Sequence, residues 1–391
     1  MEPTALEGIR VLDLSRLLPG PFCTLLLADL GAEVIKVEEP NKGDYSRHYR
    51  MNIDGIGINF LALNRGKKSI TLNLKHPTGV EILKKLAEGA DILLESFRPG
   101  VMDKLGVGYT VLAEINPRLI YCSLSGYGQT GSYRDYPGHD LNYMGYAGAA
   151  SLTGKRDEEL CIAGLQIADI GGGAMMAGFA ILTAVIAREK TGRGQYLDVA
   201  MMDGVAFWMG IHFANALNGG EAPRAGDMRL NGGQINYNIY KTKDGKYVTL
   251  AALEDKFWQN FCKLVNRPDW AEKSNVKGAD RDKLEEELRA LFQTRTKQEW
   301  LELLAEEDVC FGPVNSVFEA YNDPQLRERK MFVDVPLPHS PKKMIQVAHP
   351  VKYSHTPPRI ESPPPILGEH NAEIYSALGY DVQKLAEKGV I

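Results

Sequence analysis

The sequence predicts an α/β protein that combines a parallel sheet, formed before about residue 200, with a smaller α+β domain after about residue 220. Short β-rich stretches alternate with helical stretches through the first half of the chain, as they do in parallel βαβ units. The second half carries a strong hairpin signal at residues 243–246. The chain has 391 residues, more than one compact core usually contains, and this length also favours two domains.

The first half opens with a predicted strand at 9–14, a helix at 21–31 and a second strand at 33–37. A crossover of this length is typical of a parallel pair of strands. The loop at 17–21 lacks the GxGxxG turn, so a dinucleotide-binding fingerprint is absent. Further strands are predicted at 70–74, 91–95, 118–124 and 194–199, and further helices at 77–88, 140–150, 171–188 and 201–217.

The character of the chain changes near Asn218, where a glycine-containing and proline-containing stretch begins. We therefore divide the chain into a large-domain segment at 1–218, a linker at 219–235, a small α+β domain at 236–330 and a return segment at 331–391. The small domain is predicted to contain hairpin strands at 236–240 and 247–252 and helices at 256–264, 282–291, 297–305 and 317–321. The return segment is extended and proline-rich before its closing helices, which suits a chain running along a surface.

Composition limits the partners and the compartment. A net charge of -5 and a pI near 6.0 argue against nucleic acid or an anionic membrane as the main partner. The five cysteines are scattered and odd in number, without zinc-ligand spacing or a CxxC pair, which is typical of reduced thiols in a cytoplasmic protein. No apolar run is expected to reach membrane-spanning length. We expect a soluble, cytoplasmic protein with no metal site.

The stretch from Gly138 to Gly173 holds two proton-handling side chains among glycines. His139 precedes one predicted helix, and Asp169 stands just ahead of another. Glycines beside a carboxylate let a ligand approach the backbone, but an Asp at this position can equally be a helix N-cap. A single histidine is also a weak signal. Catalytic and structural interpretations of both residues therefore stay open on these residues alone.

Cations at two predicted loops are candidate phosphate ligands. Arg98 follows a strand at the position where open α/β sheets bind ligands, and the loop at 64–69 concentrates Arg65, Lys67 and a third cation beside a glycine. The second loop can equally be an ordinary solvated loop. Glu254 follows the second hairpin strand and, taken alone, is an ordinary acidic residue in the first turn of a helix.

Several motifs in order resemble the type III CoA-transferase family over nearly the whole chain. They are Leu6-Glu7-Gly8-Ile9-Arg10-Val11-Leu12-Asp13, Pro19-Gly20-Pro21-Phe22, residues 28–38, Arg98-Pro99-Gly100 and Gly192-Arg193-Gly194-Gln195. The resemblance implies acyl-CoA chemistry and a Rossmann-like large domain formed by both chain ends, with a small central domain. It also implies an interlocked homodimer whose active site lies between the large domain of one subunit and the small domain of its partner.

Within that family, residues 138–143, Ala168-Asp169 and 252–254 most resemble the α-methylacyl-CoA racemase branch. In that branch a His and an Asp act as opposed acid and base at the carbon next to the thioester, and a Glu supports the His. The resemblance therefore implies that His139, Asp169 and Glu254 are catalytic. The transferases of the family use the same Asp as a nucleophile, so a CoA-transferase with an aspartyl-CoA thioester at Asp169 is the alternative. A non-catalytic acyl-CoA binding protein is a third hypothesis.

The resemblance also places a set of residues on stretches that contact CoA in relatives: Asn64, Arg65, Lys67, Arg98 and Tyr127. The implied racemization uses no cofactor other than the CoA of the substrate. One departure concerns Cys161-Ile162-Ala163-Gly164-Leu165-Gln166, where the racemases carry prolines, and it bears on the shape of the acyl pocket. Two further expectations follow from the mechanism. The amides at the start of the helix predicted at 171 stabilise the enolate, and burial raises the pKa of Asp169 above the ordinary value of about 3.9.

Overall fold

The computed structural model describes residues 3–360 and 362–391 and divides into two compact units. The sheet unit contains the residues up to Ala147, Leu165–Trp208 and Glu328–Ile391. The hairpin unit contains Gly148–Gly164 and Met209–Arg327. The segment 148–164 therefore groups with the hairpin unit by its contacts, whereas the sequence analysis placed it inside the large-domain segment.

The sheet unit is built on a six-stranded parallel sheet, which confirms the predicted fold class. Its strand order is β5-β2-β1-β6-β7-β8, and every neighbouring pair is parallel. The central strands are almost continuously buried, as expected when helices cover both faces of a parallel sheet. The strands, with a small β3-β4 hairpin, are β1 Arg10–Leu14, β2 Glu33–Glu38, β3 Asn52–Ile53, β4 Ile56–Gly57, β5 Lys68–Thr71, β6 Ile92–Glu95, β7 Ile120–Ser125 and β8 Tyr196–Ala200.

Helices flank this sheet, and one apolar cluster fills the space between the strands and the helices on one face. Leu12, Leu93 and Tyr121 belong to that cluster and are 2% exposed or less. The predicted helix at 77–88 is confirmed, whereas the predicted helix at 201–217 is broken into two at Met209. The helices are α1 Pro19–Asp29, α2 Ile58–Leu63, α3 Pro77–Glu88, α4 Val101–Lys104, α5 Tyr109–Ile115, α6 Asp140–Tyr146, α7 Met176–Thr191 and α8 Met201–Trp208, with a 3-10 turn at Tyr45–His48. The next helix, α9 Gly210–Leu217, and a 3-10 turn at Ala149–Leu152 belong to the hairpin unit.

A π-helix at Ala168–Met175 runs directly into α7 and makes one continuous helical segment of 24 residues. An 18-residue window within it has a mean hydropathy of 1.9, and by length and composition alone the segment could cross a membrane. The expectation that no apolar run attains that length is therefore wrong. The segment contacts α1 and β7, as a helix covering a parallel sheet does.

The hairpin unit has a three-stranded antiparallel sheet in the order β11-β10-β9, and the predicted hairpin is confirmed by the pairing of Lys241 with Tyr247. Its core contains Trp258, Trp270 and Trp300, all fully buried. The strands are β9 Tyr237–Lys241, β10 Tyr247–Ala251 and β11 Phe311–Pro313. The helices are α10 Asp255–Leu264, α11 Gly278–Phe292, α12 Lys297–Leu304, α13 Val317–Tyr321 and α14 Pro324–Glu328, with a 3-10 turn at Pro268–Lys273.

The C-terminal segment packs against the β5 edge of the parallel sheet. It forms the antiparallel pair β12 Phe332–Pro336 and β13 Lys343–Val347, followed by α15 Asn371–Ala377 and α16 Val382–Glu387. The amide of His370 donates to the carbonyl of Ser69 at 2.9 Å, and the Tyr375 hydroxyl donates to the carbonyl of Thr71 at 2.6 Å. Residues from both ends of the chain therefore share one core.

Candidate functional site

His139 is the N-cap residue of α6, and its backbone is fixed while its side chain is exposed. Its amide donates to Oδ1 of Asn142 at 3.0 Å, and its carbonyl accepts the Asn142 amide at 2.8 Å. The reciprocal bonds satisfy groups that a helix start leaves without partners. The imidazole therefore stands at a rigid position with access to solvent.

Asp169 lies inside the first turn of the π-helix, one residue after its start, and the N-cap residue is Ile167. The N-cap interpretation of Asp169 is therefore wrong. Its amide donates to Oδ1 of Asp140 at 3.0 Å. Because Asp140 directly follows His139, this bond ties the two sequence-predicted residues together. Within residues 3–360 and 362–391, the Asp169 carboxylate itself makes no hydrogen bond or ion pair.

The surroundings of Asp169 favour its neutral form. Burial is the main cause, the negative charge of Asp140 adds to it, and His139 acts in the opposite direction. Together they raise the pKa of Asp169 to about 6. Burial disfavours a charged carboxylate and a second carboxylate repels it, so the carboxyl is poised to exchange a proton near neutral pH. This is the shift that a catalytic acid at this position requires.

The glycines after Asp169 serve helix packing. A Cβ on Gly171 would lie 1.7 Å from the Trp208 ring, and one on Gly172 would lie 2.6 Å from the carbonyl oxygen of Met201. Gly204 of α8 meets Gly172 equally closely. The helix begins at Ala168 and not at residue 171 as expected. Whether the amides of its first turn meet an enolate stays a prediction.

A cluster of tyrosines backs the site. The Tyr143 hydroxyl donates to the carbonyl of Gly138 at 2.5 Å. Its pKa is raised, first by burial and then by the charge of Asp169, which places Tyr143 beside that carboxyl. Tyr127 meets the Tyr143 ring edge-on at 5.1 Å between centroids and is 7% exposed. Three more tyrosines surround Tyr127: Tyr133, Tyr136 and Tyr146.

Arg98 lies just past the carboxyl end of β6, as predicted, and its side chain is exposed. It lines a cavity of about 220 Å³ with Glu95 and Tyr196, and neither His139 nor Asp169 lines that cavity. Glu95 accepts the Phe97 amide at 2.8 Å, which fixes the turn that carries Arg98. Burial raises the pKa of Glu95 to about 7.

The loop at 64–68 uses its polar side chains inside the fold. Arg65 pairs with Asp29 at 2.7 Å and donates to Gln346 at 2.8 Å. Lys67 pairs with Asp13 at 3.2 Å and donates to Oδ1 of Asn64 at 2.9 Å. Asn64, Arg65 and Lys67 are at most 3% exposed. Their charged and amide groups are therefore used inside the fold, and the implied contact of this stretch with CoA stays a prediction.

Glu254 belongs to the hairpin unit, where it is exposed at the N-cap position of α10. Its side chain makes no capping hydrogen bond. Its role in supporting His139 stays a prediction. As for metals, no cluster of three or more His, Cys, Asp or Glu in the described ranges could hold an ion.

Sequence reasoning missed two residues at this edge of the sheet. Asp140 joins His139 to Asp169, and its position inside the quoted motif was the available signal. Arg16 follows β1 just as Arg98 follows β6, and its side chain lies 5.0 Å from the centroid of the Phe97 ring. The rule that selected Arg98 from the sequence applies equally to Arg16.

The structure combines a parallel sheet with the Asp169 carboxyl and the His139 imidazole. This combination fits one family of acyl-CoA enzymes. The chain belongs to CoA-transferase family III, whose family model matches residues 6–371. The resemblance noted from the sequence is thereby confirmed.

Its relatives carry both of the activities considered above. The chain is 36% identical to a Fusarium pseudograminearum protein named acyl-CoA transferase, covering 99% of this chain and 88% of that one. It is 34% identical to human alpha-methylacyl-CoA racemase, covering 97% and 95%. Among solved structures, a CAIB/BAIF family protein from Brucella suis superposes with a TM-score of 0.85 at 32% identity, covering 96% of this chain and 100% of that one.

Proposed function

We propose that this protein is a racemase or epimerase of 2-methylacyl-CoA thioesters, which moves a proton between the two faces of the α-carbon. The observation that carries the proposal is the unpaired Asp169 carboxyl, with its pKa raised to about 6, tied to His139 through Asp140. An acid and a base near neutral pH on opposite faces of one carbon are what a 1,1-proton transfer requires.

In one direction, neutral His139 removes the α-proton and the C–H electron pair passes into the thioester as an enolate. Protonated Asp169 then donates its proton to the opposite face of the same carbon. The enzyme is left with a protonated imidazole and an ionised carboxylate, which is the starting state for the reverse direction. Preorganised donors, among them the first-turn amides of the helix that begins at Ala168, would stabilise the enolate oxygen.

The proposal extends to the subunit arrangement. We assign Glu254 the role of supporting His139, and we place this contact in an interlocked homodimer, as the family resemblance implies. The thioester linkage to CoA acidifies the α-hydrogen of the acyl group, so the proposed chemistry needs no separate cofactor.

A second candidate function is CoA transfer between carboxylic acids. It is favoured by the transferase among the relatives and by the same unpaired carboxylate, which could attack an acyl-CoA carbonyl. The released CoA thiolate would then attack the acyl–aspartyl anhydride to give an aspartyl-CoA thioester and the free acid. An incoming carboxylate would reverse these steps and leave as its own CoA ester. This route needs Asp169 ionised.

A deuterium experiment separates the candidates. One enantiomer of a 2-methylacyl-CoA is incubated with the protein in D₂O without any added acid, and both α-deuterium content and configuration are followed. We expect deuterium uptake together with inversion. A second incubation contains an added carboxylic acid; if uptake and inversion are absent in the first and CoA passes to the acid in the second, the transferase is correct. If CoA binds without either reaction, the chain is the third alternative, a non-catalytic binding protein.

A further inference from the structure

The cations of the loop at 64–68 are already engaged: Arg65 and Lys67 lie in buried ion pairs, and Lys68 pairs with Glu33 and Glu373. Cations at other loops are therefore better placed to meet a phosphate group. The strand order of the parallel sheet indicates where such phosphate-binding cations would lie. Within the sheet, β2 is the neighbour of β1 on one side and β6 is its neighbour on the other. The connections that follow β1 and β6 therefore lead away from each other. Ligands of open α/β sheets bind in the crevice at such a switch point, outside the carboxyl ends of the strands.

Two arginines lie at this switch point. Arg16 follows β1 and Arg98 follows β6, and the two loops touch because the Arg16 amide donates to Oγ of Ser96 at 3.3 Å. No ion pair with a carboxylate is found for either guanidinium within the described ranges. Both charges are therefore available to an anion.

The Arg16 side chain is held in place by aromatic neighbours. Its guanidinium lies 5.2 Å from the centroid of the Tyr45 ring and 5.0 Å from that of Phe97, a range in which cation–π attraction is significant. One Nη1 hydrogen bond to the Tyr45 hydroxyl, at 2.8 Å, fixes its orientation. An arginine has five N–H donors, so most of them remain for a ligand.

The backbone on both sides of Arg16 is anchored by buried charges. The Ser15 carbonyl accepts from Lys36 at 2.9 Å, and the Leu17 amide donates to the Asp44 carboxylate at 3.2 Å. Leu17 itself has a φ of +66°, a conformation that non-glycine residues rarely adopt and that tends to persist at ligand-binding sites. Anchoring of this kind lowers the ordering cost when a ligand binds.

We propose that Arg16 acts with Arg98 as the clamp for the phosphate groups of CoA, with the Tyr45 and Phe97 rings holding the Arg16 guanidinium in position. This inference rests on the proposed acyl-CoA function and specifies how the nucleotide half of the substrate is recognised. Lys36, Lys67, Asp13 and Asp44 then act indirectly, by fixing the loop that carries Arg16.

The test measures kcat and KM of Arg16→Ala with three thioesters of the same acyl group, made with CoA, 3′-dephospho-CoA and pantetheine. We expect KM for the CoA thioester to rise by about 10-fold to 100-fold, the range for losing hydrogen bonds to a charged group. The kcat should stay within about two-fold. With the pantetheine thioester, which has neither the diphosphate nor the 3′-phosphate, the variant should match the unmodified protein.

The dephospho-CoA thioester identifies which phosphate Arg16 contacts. A penalty that persists assigns Arg16 to the diphosphate, and a penalty that disappears assigns it to the 3′-phosphate; either result supports the clamp. Equal losses on the pantetheine thioester, or an unchanged KM for the CoA thioester, would overturn it.

Two further variants guard against misinterpretation. Arg193→Ala removes an exposed arginine between α7 and β8, at the amino edge of the same sheet, and should leave KM unchanged. Tyr45→Phe keeps the ring and removes the hydrogen bond to Arg16, so KM should rise less than in Arg16→Ala.

Calorimetry with free CoA separates the two proposals. If Arg16→Ala weakens CoA binding in a protein without exchange activity, the clamp stands and the racemase does not.

Discussion

Asp13 is fully buried and Asp169 is half-buried in the sheet unit, and their surroundings have opposite effects on their pKa values. Asp13 is fully buried in β1 beside Lys36 and Lys67. Burial alone would raise its pKa, but the two lysines hold that pKa well below the usual range. Asp169 has the Asp140 carboxylate beside it and only His139 to oppose the effect of burial, so its pKa rises to about 6.

The difference shows that neighbouring charges decide whether a buried carboxyl is structural or reactive. Asp13 is ionised at any working pH and is saturated by Lys67, Thr24 and Ser15. Asp169 has no hydrogen-bond or ion-pair partner for its carboxyl among the residues that the structure describes, and its pKa of about 6 lets it gain or lose a proton near neutrality. A perturbed pKa at a carboxyl without partners is typical of a catalytic group.

The largest expected effect comes from Asp169→Asn, which removes the acid and base of one face. We expect inversion of a 2-methylacyl-CoA to fall by about 1000-fold, within the range for losing a general acid–base group. Mass spectrometry of the product in D₂O should still detect slow exchange with retention for the enantiomer whose α-hydrogen faces His139.

His139→Gln is the matched variant on the opposite face. The rate of inversion should fall to a similar extent. Slow exchange of the α-hydrogen should remain for the enantiomer whose α-hydrogen faces Asp169. Unchanged inversion in either variant would contradict the assignment of the pair.

Asp13→Asn should act on stability. The change leaves Lys36 and Lys67 without their shared carboxylate, and breaking a buried charge cluster costs about 3 kcal/mol. The unfolding temperature and the resistance to protease should both fall. The molecules that remain folded should keep their kcat. A variant as stable as the unmodified protein, but inactive, would reverse the roles that we assign to the two aspartates.

The pH profile of kcat/KM sharpens the comparison further. A racemase needs one proton shared by His139 and Asp169, so the rate should fall tenfold per pH unit on both sides of an optimum, with the acid limb near pH 6. Both enantiomers should give the same profile, because the equilibrium between them does not depend on pH. A rise through pH 6 followed by a level rate to pH 9 would instead indicate an Asp169 nucleophile.

The smallest effect concerns the stability of the site itself. A carboxyl whose folded pKa is raised stabilises the fold only when protonated, so its contribution is present below about pH 4 and lost as pH rises through about 6. Because solvent screens the charge of the half-buried Asp169, we expect Asp169→Asn to stabilise the fold by only about 1 kcal/mol at pH 8. Thermal shift assays should detect no such gain at pH 4.

The sequence predicted the elements whose determinants are local. The helix at Pro77–Glu88 has proline at its first position and Gly89 just after it, and both signals are visible in the sequence. The helix after Asp169 began three residues earlier than predicted. The glycines that suggested a helix start are required for contact with α8, a tertiary interaction that leaves no local signal.

The burial of Arg65 and Lys67 is a second feature that depends on tertiary contacts. Arg65 and Lys67 display their charge in the sequence, but their partners Asp29, Gln346 and Asp13 lie 36, 281 and 54 residues away. Only the fold shows that these charges are neutralised internally. His139 and Asp169, in contrast, were found from a motif, and the link through Asp140 needed the structure.

The pKa of Asp169 in the folded protein is the most direct test of the account. Protein labelled with ¹³C at the aspartate carboxyls is titrated by NMR, and the Asp169 resonance is identified by its absence in Asp169→Asn. The account predicts a midpoint at about 6 for Asp169 and a midpoint for Asp13 well below that of an ordinary aspartate. An Asp169 midpoint below about 4, the value of an ordinary exposed aspartate, would contradict it.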